Sequence, residues 1–430
     1  MTSETISTAD HWKTTILAGL ANYIDAGSIV AGSAALAIWV KLFHLSPTFV
    51  GVIGAFSANA ISAGIGALIG GRLCDKFGRK TIYQYDMLFY AFGMAWLVFA
   101  VQSWMIVVGF VIVGLAVGAD IPASWSLIAE QAPKGARGKH SGVAQALWYL
   151  GPVVVLLLFL LFERLGIMAA RIVFAHLVVV ALGLTFMRSK MSESAVWTEA
   201  RAALARGEKD DEVVTMSRGH ISELLTRKHI GSMAFLIGLY GSWNLWAGTN
   251  GFFFPYILQT VGAQSQTTAI LLQTGGFILS MVSIGFVFMQ LSDKVNQRTL
   301  LAVSALIQIC GMVLLALFPL TVPVAIAYIV LLQFGGGFGA QSFFQLWSAE
   351  LFPTLIRSTA QGIMFAVVRI TLGCWSFFVP VLTATGFKNL AWILTGFLVV
   401  SGLIGWIWAP RNEGKSLDQI QRELAADEVI

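Results

Sequence analysis

Charged residues are scarce in this sequence. They make up 11% of its 430 residues, whereas about a quarter of a soluble domain is charged. Hydrophobic residues make up 57%, which excludes a soluble enzyme and indicates a polytopic membrane protein. The net charge of +5 requires no nucleic-acid partner, because lysines and arginines beside membrane spans fix the orientation of those spans.

Cysteines are also few, and nucleotide-binding motifs are absent from the sequence. Cys74, Cys310 and Cys374 lie far apart, in or beside apolar runs, which predicts neither a disulfide framework nor a metal site. No Gly-x-x-x-x-Gly-Lys-Ser/Thr loop occurs, so an ion gradient would have to drive any transport. We therefore expect no cofactor, and a proton or a sodium ion as the driving ion. Residues 1–13 are polar and a long apolar run follows, so we expect no cleaved leader.

Apolar stretches dominate the rest of the chain, and twelve of them are long enough to cross a bilayer as helices. They lie near 14–40, 47–71, 81–101, 104–126, 138–162, 167–187, 229–258, 266–291, 298–319, 322–348, 357–383 and 387–409. Most lysines and arginines fall on one side when the N-terminus is placed in the cytoplasm. The sequence thus predicts an all-α monomer in the cell (inner) membrane, surrounded by lipid, with both termini cytoplasmic.

Residues 188–228 form the one long polar stretch, which includes an acidic run over 208–212. We predict an N-terminal six-helix bundle over 1–187, a cytoplasmic linker over 188–228, and a C-terminal six-helix bundle with a cytoplasmic tail over 229–430. The halves repeat: Ala129-Glu130-x-x-Pro133-x-x-x-Arg137 recurs 220 residues later as Ala349-Glu350-x-x-Pro353-x-x-x-Arg357. Two parallel six-helix repeats related by an axis along the membrane normal would produce this pattern.

The loop between the second and third spans carries the most specific motif. It reads Gly71-Arg72-Leu73-Cys74-Asp75-Lys76-Phe77-Gly78-Arg79-Lys80 and resembles the loop at this position in the major facilitator superfamily. Stretches 192–197, 350–357 and 410–420 are similar to motifs of the sugar porters, and the second of these also to those of organic-acid porters. The resemblance covers nearly the whole chain and implies the major facilitator fold.

Acids and arginines of these motifs fall at helix ends on the predicted cytoplasmic face. We expect them to form ion pairs that hold this face shut and break when it opens. The alternative is that they only anchor the helices at the membrane surface. The predicted gate residues are Asp75, Arg79, Glu130, Arg137, Glu193, Glu350 and Arg357.

Two acids inside spans are candidates for proton coupling, because a charge inside a membrane is costly and usually functional. Asp25 lies near the middle of the first span, in a stretch similar to the proton-binding Tyr-Asp-x-Gly-x-Ile of sugar porters. Asp120 lies in the fourth span, in a stretch that resembles a motif of proton–phosphate and organic-acid symporters. Each could instead form a structural ion pair or hydrogen bond.

One departure from the sugar-porter pattern concerns the usual partner of Asp25. The resemblance implies an arginine early in the fourth span, but Phe110 stands there. Arg369 or Arg171 would then have to serve if any cation pairs with Asp25. Arg171 lies near the outer face and can reach water. Asp86 lies near the cytoplasmic end of the third span, and we expect it to pair with the lysines and arginines of the loop over 71–80.

Polar residues and tryptophans inside the spans predict a site for a small polar solute. The resemblance to sugar porters points to Gln145 in the fifth span and to further positions in the seventh and tenth. Arg369 would face either a substrate anion or an acid across the cavity. The predicted substrate-binding residues are Gln145, Trp243, Asn244, Trp246, Asn250, Gln341, Gln345 and Arg369.

The function these residues indicate is secondary active transport by alternating access. We expect proton-coupled symport of a sugar acid, sugar or polyol, and the permanent charge of Arg369 favours the acid slightly. An antiporter that exports drugs or organic anions is the alternative, for which Gly151-Pro152 is a partial motif. A receptor built on the same fold is a third possibility, although the chain lacks the long cytoplasmic extensions of such receptors.

Overall fold

The computed structural model describes residues 8–133, 135–189, 191–206, 221–260, 262 and 264–426. Within these residues every regular element is helical. The α-helices are α1 Thr8–Leu42, α2 Pro47–Ala55, α3 Ile61–Phe77, α4 Arg79–Val98, α5 Ser103–Gln131, α6 Arg137–Leu161, α7 Ile167–Ser189, α8 Ala195–Arg206, α9 Arg227–Gly248, α10 Phe254–Thr260, α11 Gln266–Ser283, α12 Met289–Leu291, α13 Gln297–Leu317, α14 Val322–Gly337, α15 Ala340–Glu350, α16 Arg357–Trp408 and α17 Leu417–Ala426.

Nine helical segments in the described part of the chain are long and apolar enough to cross a membrane. The other three predicted spans are present as helices of different form. The third is α4, and the seventh runs from α9 through a π-helical turn at Thr249–Phe253 into α10. The second, predicted as one span over 47–71, is instead two helices, α2 and α3. The last two spans follow each other in α16 without a loop, bent at the non-helical Gly386.

The break between α2 and α3 leaves backbone carbonyls without helical partners. The Ser62 hydroxyl donates to the carbonyls of Phe56 and Ser57, at 3.0 and 3.3 Å. Polar side chains of this kind make a helix break tolerable inside a membrane protein, where water does not reach the freed groups. The break turns Asn59 towards the interior, where it is 7% exposed.

The N-terminal half (α1–α7) and the C-terminal half (α9–α16) pack against each other mainly through α3 and α16. Glycines make this contact close. The α-carbons of Gly71 and Gly362 face each other, and a Cβ at Gly71 would overlap the carbonyl oxygen of Ser358. At the other end of the same seam, a Cβ at Gly51 would lie 2.5 Å from the carbonyl oxygen of Phe377.

The two halves touch at both ends of the bundle. We call the end that carries residues 71–80 and 350–357 the basic end, and the end that carries residues 42–47 and 161–167 the opposite end. At the opposite end Thr267 donates to Glu163 at 2.6 Å, and Ser33 donates to the Phe252 carbonyl at 2.7 Å. At the basic end Arg357 lies 2.8 Å from Glu130 of the other half. The two halves are therefore in contact at both ends of the bundle.

The predicted linker is partly helical where the structure describes it. Helix α8 and a short 3-10 helix at Ile221–Leu225 lie between the halves in sequence, and α8 buries Ala200 and Ala203. The acidic run over 208–212 lies outside the described residues, as do residues 1–7 and 427–430 at the two ends of the chain.

Candidate functional site

A cavity lies between the two halves near the middle of the bundle. The space within it that can hold the centre of a water molecule is about 40 Å³, enough for a few waters. A six-carbon ring needs more room, so binding one requires the walls to move apart. Six of the predicted substrate-binding residues line it: Trp243, Asn244, Trp246, Asn250, Gln341 and Arg369. Asn59, Trp148, Tyr149, Phe277 and Gln333 also line it, although the sequence analysis did not single them out.

Arg369 is held by neutral oxygens rather than by an acid. Its Nη1 donates to the Asn59 backbone carbonyl at 3.3 Å and to the Asn59 side-chain oxygen, and lies 3.4 Å from Asn244 Oδ1. Its Nη2 lies 3.4 Å from the Tyr240 hydroxyl, and the guanidinium stacks on Phe365. Of the two alternatives for Arg369, pairing with Asp25 or Asp120 is not the arrangement in this structure, because the break between α2 and α3 brings Asn59 to the guanidinium.

Three glutamine side chains bond to one another beside the cavity. Gln145, from α6, accepts from Gln341 at 3.0 Å and donates to Gln345, and both partners come from α15 in the other half. All three are at most 5% exposed. These hydrogen bonds exist only while the halves are together, so the amides are free to bind hydroxyls when the halves separate.

Asn250 and the tryptophans occupy the C-terminal wall of the cavity. Asn250 lies in the π-helical turn and accepts from the Tyr328 hydroxyl at 2.8 Å. Turns of this type widen the helix and frequently lie at functional sites. The indole of Trp243 donates to Gln308 at 2.8 Å, whereas the buried indole N–H of Trp246 has no partner among the described residues.

Asp25 lies in the middle of α1 and is 3% exposed. Its Oδ2 accepts from the indole N–H of Trp148 at 3.1 Å. Among the described residues no cation forms an ion pair with it, so neither Arg369 nor Arg171 takes the place of the missing arginine. Arg171 instead lies 3.5 Å from the Ala100 carbonyl.

Phe110 fills an apolar region away from this acid. It is fully buried, its ring lies against Gly32, and it meets Trp39 edge-on with the ring centroids 6.0 Å apart. The position that would carry an arginine in sugar porters is thus part of an aromatic cluster here. Asp25 has a hydrogen-bond donor in place of a charged partner.

Asp120 is paired with a cation that the sequence analysis did not select. Arg188, at the end of α7, binds both carboxylate oxygens of Asp120, at 3.1 and 3.4 Å. Asp86 lies 3.8 Å from the same guanidinium, so its expected pairing with the loop over 71–80 is wrong. All three side chains are buried, and Asp120 does not line the cavity.

At the basic end Glu130 joins the two halves. Its Oε1 lies 2.8 Å from Arg79 in its own half and 2.8 Å from Arg357 in the other. Arg79 also lies 3.3 Å from Asp75, and donates to the Thr354 carbonyl at 2.9 Å. The side chains of Arg79, Glu130 and Arg357 are all fully buried, so these contacts are shielded from water and strong.

Acids of the basic end also cap helices of the opposite half. Asp75 accepts from the Thr359 amide at 2.6 Å, at the start of α16, where the free amides and the helix dipole favour a negative charge. Asp293 accepts in the same way from the Gly138 amide at 3.1 Å, at the start of α6. Burial raises the pKa of Asp293, although the Gly138 amide and Arg137 lower it.

The remaining predicted gate residues repeat this arrangement in both halves. Arg137 pairs with Glu350 at 3.1 Å, and Asn412 donates to the other Glu350 oxygen at 2.9 Å. Glu193 caps α4 by accepting from the Arg79 amide at 3.0 Å. Glu413 likewise accepts from the amide of Gln297, the first residue of α13, at 3.2 Å. The structure thus brings together all seven residues predicted at this end, in contacts within and between the halves.

Comparison with known proteins identifies the family. The model of the Major Facilitator Superfamily matches residues 15–373. This chain belongs to the major facilitator superfamily. It is a multi-pass cell-membrane transporter and not an enzyme, which confirms the prediction from the loop motif and the repeat.

Several proteins similar to this superfamily member are named as transporters of sugars or polyols. The chain is 47% identical to the minor myo-inositol transporter IolF of Bacillus subtilis (strain 168), over 96% of this chain and 94% of that protein. It is 24% identical to the arabinose-proton symporter of the same organism, over 94% and 93% of the two chains. The proton:xylose symporter XylE bound to 6-bromo-6-deoxy-D-glucose has the same fold, with a TM-score of 0.77 at 19% identity over 97% and 99% of the chains.

Proposed function

We propose that this protein carries a neutral polyol of the myo-inositol type, together with a proton, by alternating access. The observation that carries the proposal is the amide-rich cavity between the halves. Asn59, Asn244 and Gln341 supply both donors and acceptors, as the hydroxyls of a polyol require. The 47% identity to a myo-inositol transporter supports the same substrate class.

The environment of Arg369 favours a neutral substrate over a sugar acid. Its guanidinium already has four hydrogen-bond contacts with neutral oxygens of Asn59, Asn244 and Tyr240. An incoming carboxylate would have to displace them, whereas a hydroxyl can join them as one more acceptor. In this respect the proposal departs from the preference for an acid that the permanent charge alone suggests.

We propose that three glutamines and Asn250 form hydrogen bonds with the hydroxyls of the substrate. Gln145, Gln341 and Gln345 bond across the halves, so a substrate that separates them exchanges one set of hydrogen bonds for another. Trp243 and Trp246 offer apolar faces to the carbon ring. Asp25 is proposed to carry the proton. Asp120 is the second candidate for this role, because it is already paired with Arg188.

We further propose that 1–187 and 229–430 move as two six-helix units joined by the linker over 188–228. The basic end would face the cytoplasm together with both termini, because lysines and arginines concentrate there. The seven predicted gate residues would hold that end shut, and the protein would act as a monomer. Alternation would break the contacts of one end at a time.

Uptake by proteoliposomes tests this function. Purified protein in liposomes with an imposed pH difference should accumulate labelled myo-inositol, and a protonophore should abolish the accumulation. Inositol-derived acids and organic anions serve as competitors. Competition by anions alone, or accumulation only in liposomes with the opposite pH difference, would favour the exporter of organic anions instead.

A further inference from the structure

The contact between Trp148 and Asp25 links the coupling acid to the wall of the cavity. The indole N–H donates to Asp25 at 3.1 Å, and the same side chain lines the cavity. Trp148 also meets Tyr149 and Phe277 edge-on, with ring centroids 4.9 and 6.5 Å away. Phe277 belongs to the C-terminal half, so one side chain contacts the acid, the cavity and the opposite half.

The missing arginine gives this contact its importance. Asp25 is buried and has no ion-pair partner among the described residues, and Phe110 occupies an apolar cluster instead of supplying one. Arg369 faces this carboxylate from beyond ion-pair distance, so hydrogen-bond donors must contribute to keeping a buried carboxylate of this kind ionised. The indole N–H is the side-chain donor that the structure places on this carboxylate.

We propose that Trp148 is the positioning residue that couples substrate binding to the protonation of Asp25. A polyol ring in the cavity rests against the indole and fixes the position of its N–H relative to the carboxylate. The ionised carboxylate holds the N–H more strongly than the protonated form does, because one partner is charged. Substrate and proton therefore influence each other's binding through one side chain, as linkage requires. The inference rests on the proposed role of Asp25 and on a polyol substrate.

Other polar and titratable groups around Asp25 also influence its protonation. Tyr90 donates to the Ile24 carbonyl at 3.0 Å, and Tyr23 bonds to His176 at 2.7 Å. The charged or titratable side chains that face Asp25 from the helices around α1 are Tyr90 of α4, Asp120 of α5, Tyr240 of α9 and Arg369 of α16. Among the described residues none of these four is hydrogen-bonded to the carboxylate, whereas Trp148 is, and Trp148 also lines the cavity.

The test replaces Trp148 by phenylalanine, which keeps an aromatic face and removes the N–H. The readout is the dissociation constant for myo-inositol from pH 5 to pH 9. We expect Trp148→Phe to bind myo-inositol with an affinity within about tenfold of the native protein. The pH at which the affinity changes should rise by about one unit, because the ionised carboxylate loses a donor and the hydrogen bond to a charged group is worth about that much.

Trp246→Phe is the matched control. This indole lines the same cavity, but its N–H has no partner among the described residues. It should change the affinity and leave the pH of the transition where it is in the native protein. An unchanged transition in Trp148→Phe, or an equal shift in both variants, overturns the proposal.

Asp25→Asn separates this inference from the proposed function. If Asp25→Asn abolishes the pH dependence while Trp148→Phe leaves it unshifted, Asp25 carries the proton and the positioning role of Trp148 is wrong. If Asp25→Asn keeps the full pH dependence, the role of Asp25 itself is wrong, and with it the basis of the inference.

Discussion

Arg357 and Glu130 lie 227 positions apart in the sequence, and their side chains meet at 2.8 Å between the two halves at the basic end. Both are fully buried, so neither is solvated when the other is absent. The repeat of the Glu-to-Arg motif predicts acids and arginines at this end in both halves. The structure adds that Glu130 is shared between Arg357 and Arg79, which makes it the centre of the cluster.

Removing one partner from this cluster should favour the state that is open at the basic end. In Arg357→Ala the closed state keeps Glu130 buried with one arginine fewer, which should cost less than the about 3–5 kcal/mol of a fully unpaired buried charge, because Arg79 still pairs with Glu130. Cysteine accessibility at the basic end should rise, and binding of myo-inositol should persist. Lys415→Ala is the control, since Lys415 pairs with Glu423 on the surface. Loss of ligand binding together with unchanged accessibility would contradict the gating role.

Gly51 of α2 and Gly71 of α3, which both pack against α16, provide a pair of opposite tests. Gly71→Ala places a methyl group against the Ser358 carbonyl at the basic end, and Gly51→Ala places one against the Phe377 carbonyl at the opposite end. Each closed end then has a clash with backbone that cannot rotate away. We expect Gly71→Ala to increase labelling at the basic end and Gly51→Ala to increase it at the opposite end. The same direction in both variants would show that the seam does not govern alternation.

Arg369→Gln separates a neutral substrate from an acidic one. Under the proposed function, binding of myo-inositol should weaken by about tenfold, because the change removes one hydrogen-bond donor to a hydroxyl. Binding of inositol-derived acids should be weak in the native protein and stay weak. The measurement is competition against labelled myo-inositol. If the native protein binds the acid more tightly and Arg369→Gln abolishes only that binding, the substrate is an anion.

Asp25→Asn should uncouple transport. The variant is permanently neutral at this position, so it should exchange labelled myo-inositol across the membrane without a pH gradient. It should not accumulate the label when a gradient is imposed. Counterflow and pH-driven uptake in the same proteoliposomes measure the two activities. Accumulation at the native level would transfer the coupling role to Asp120.

The acids around Arg188 should differ in their effect on stability. Arg188→Gln leaves Asp86 and Asp120 buried without a cation, so unfolding should become easier by about 3–5 kcal/mol. Asp86→Asn should be neutral or stabilising, because two carboxylates share one guanidinium and both Asp86 oxygens lack a hydrogen-bond donor among the described residues. Thermal unfolding in detergent gives both results. If Asp86→Asn lowered the stability more than Arg188→Gln does, repulsion between the two carboxylates would not be what determines the stability of this cluster.

Short-range patterns predicted much of the helical framework. Apolar stretches long enough to cross a bilayer predicted most of the helices, and the recurrence of Glu130 and Arg137 as Glu350 and Arg357 predicted the repeat. The break at 56–60 was missed because small apolar residues surround Asn59, and their hydropathy does not distinguish one long helix from two short ones. Ser62 satisfies the freed carbonyls, but a single serine is not enough to predict a break in a helix.

Side-chain partners were harder to predict than helices. Arg188 was counted with the polar linker because it follows the last apolar residues of its span, yet it is 1% exposed and binds Asp120. Trp148 does not stand out in the sequence, because an aromatic residue in a span usually packs against its neighbours. No local pattern reveals that its N–H meets Asp25.

Local properties of the sequence are enough to establish the class of this protein. Scarce charge, long apolar runs and a repeated motif leave a helical membrane transporter, because burial in lipid constrains every segment separately. Which buried polar groups meet depends instead on the packing of the helices. Arg369 bonds to Asn59 from 310 positions away and Trp148 to Asp25 from 123, and such partners follow from how the helices cross and rotate. Hydrogen bonds inside a membrane protein depend on that packing, since water does not compete for the groups there.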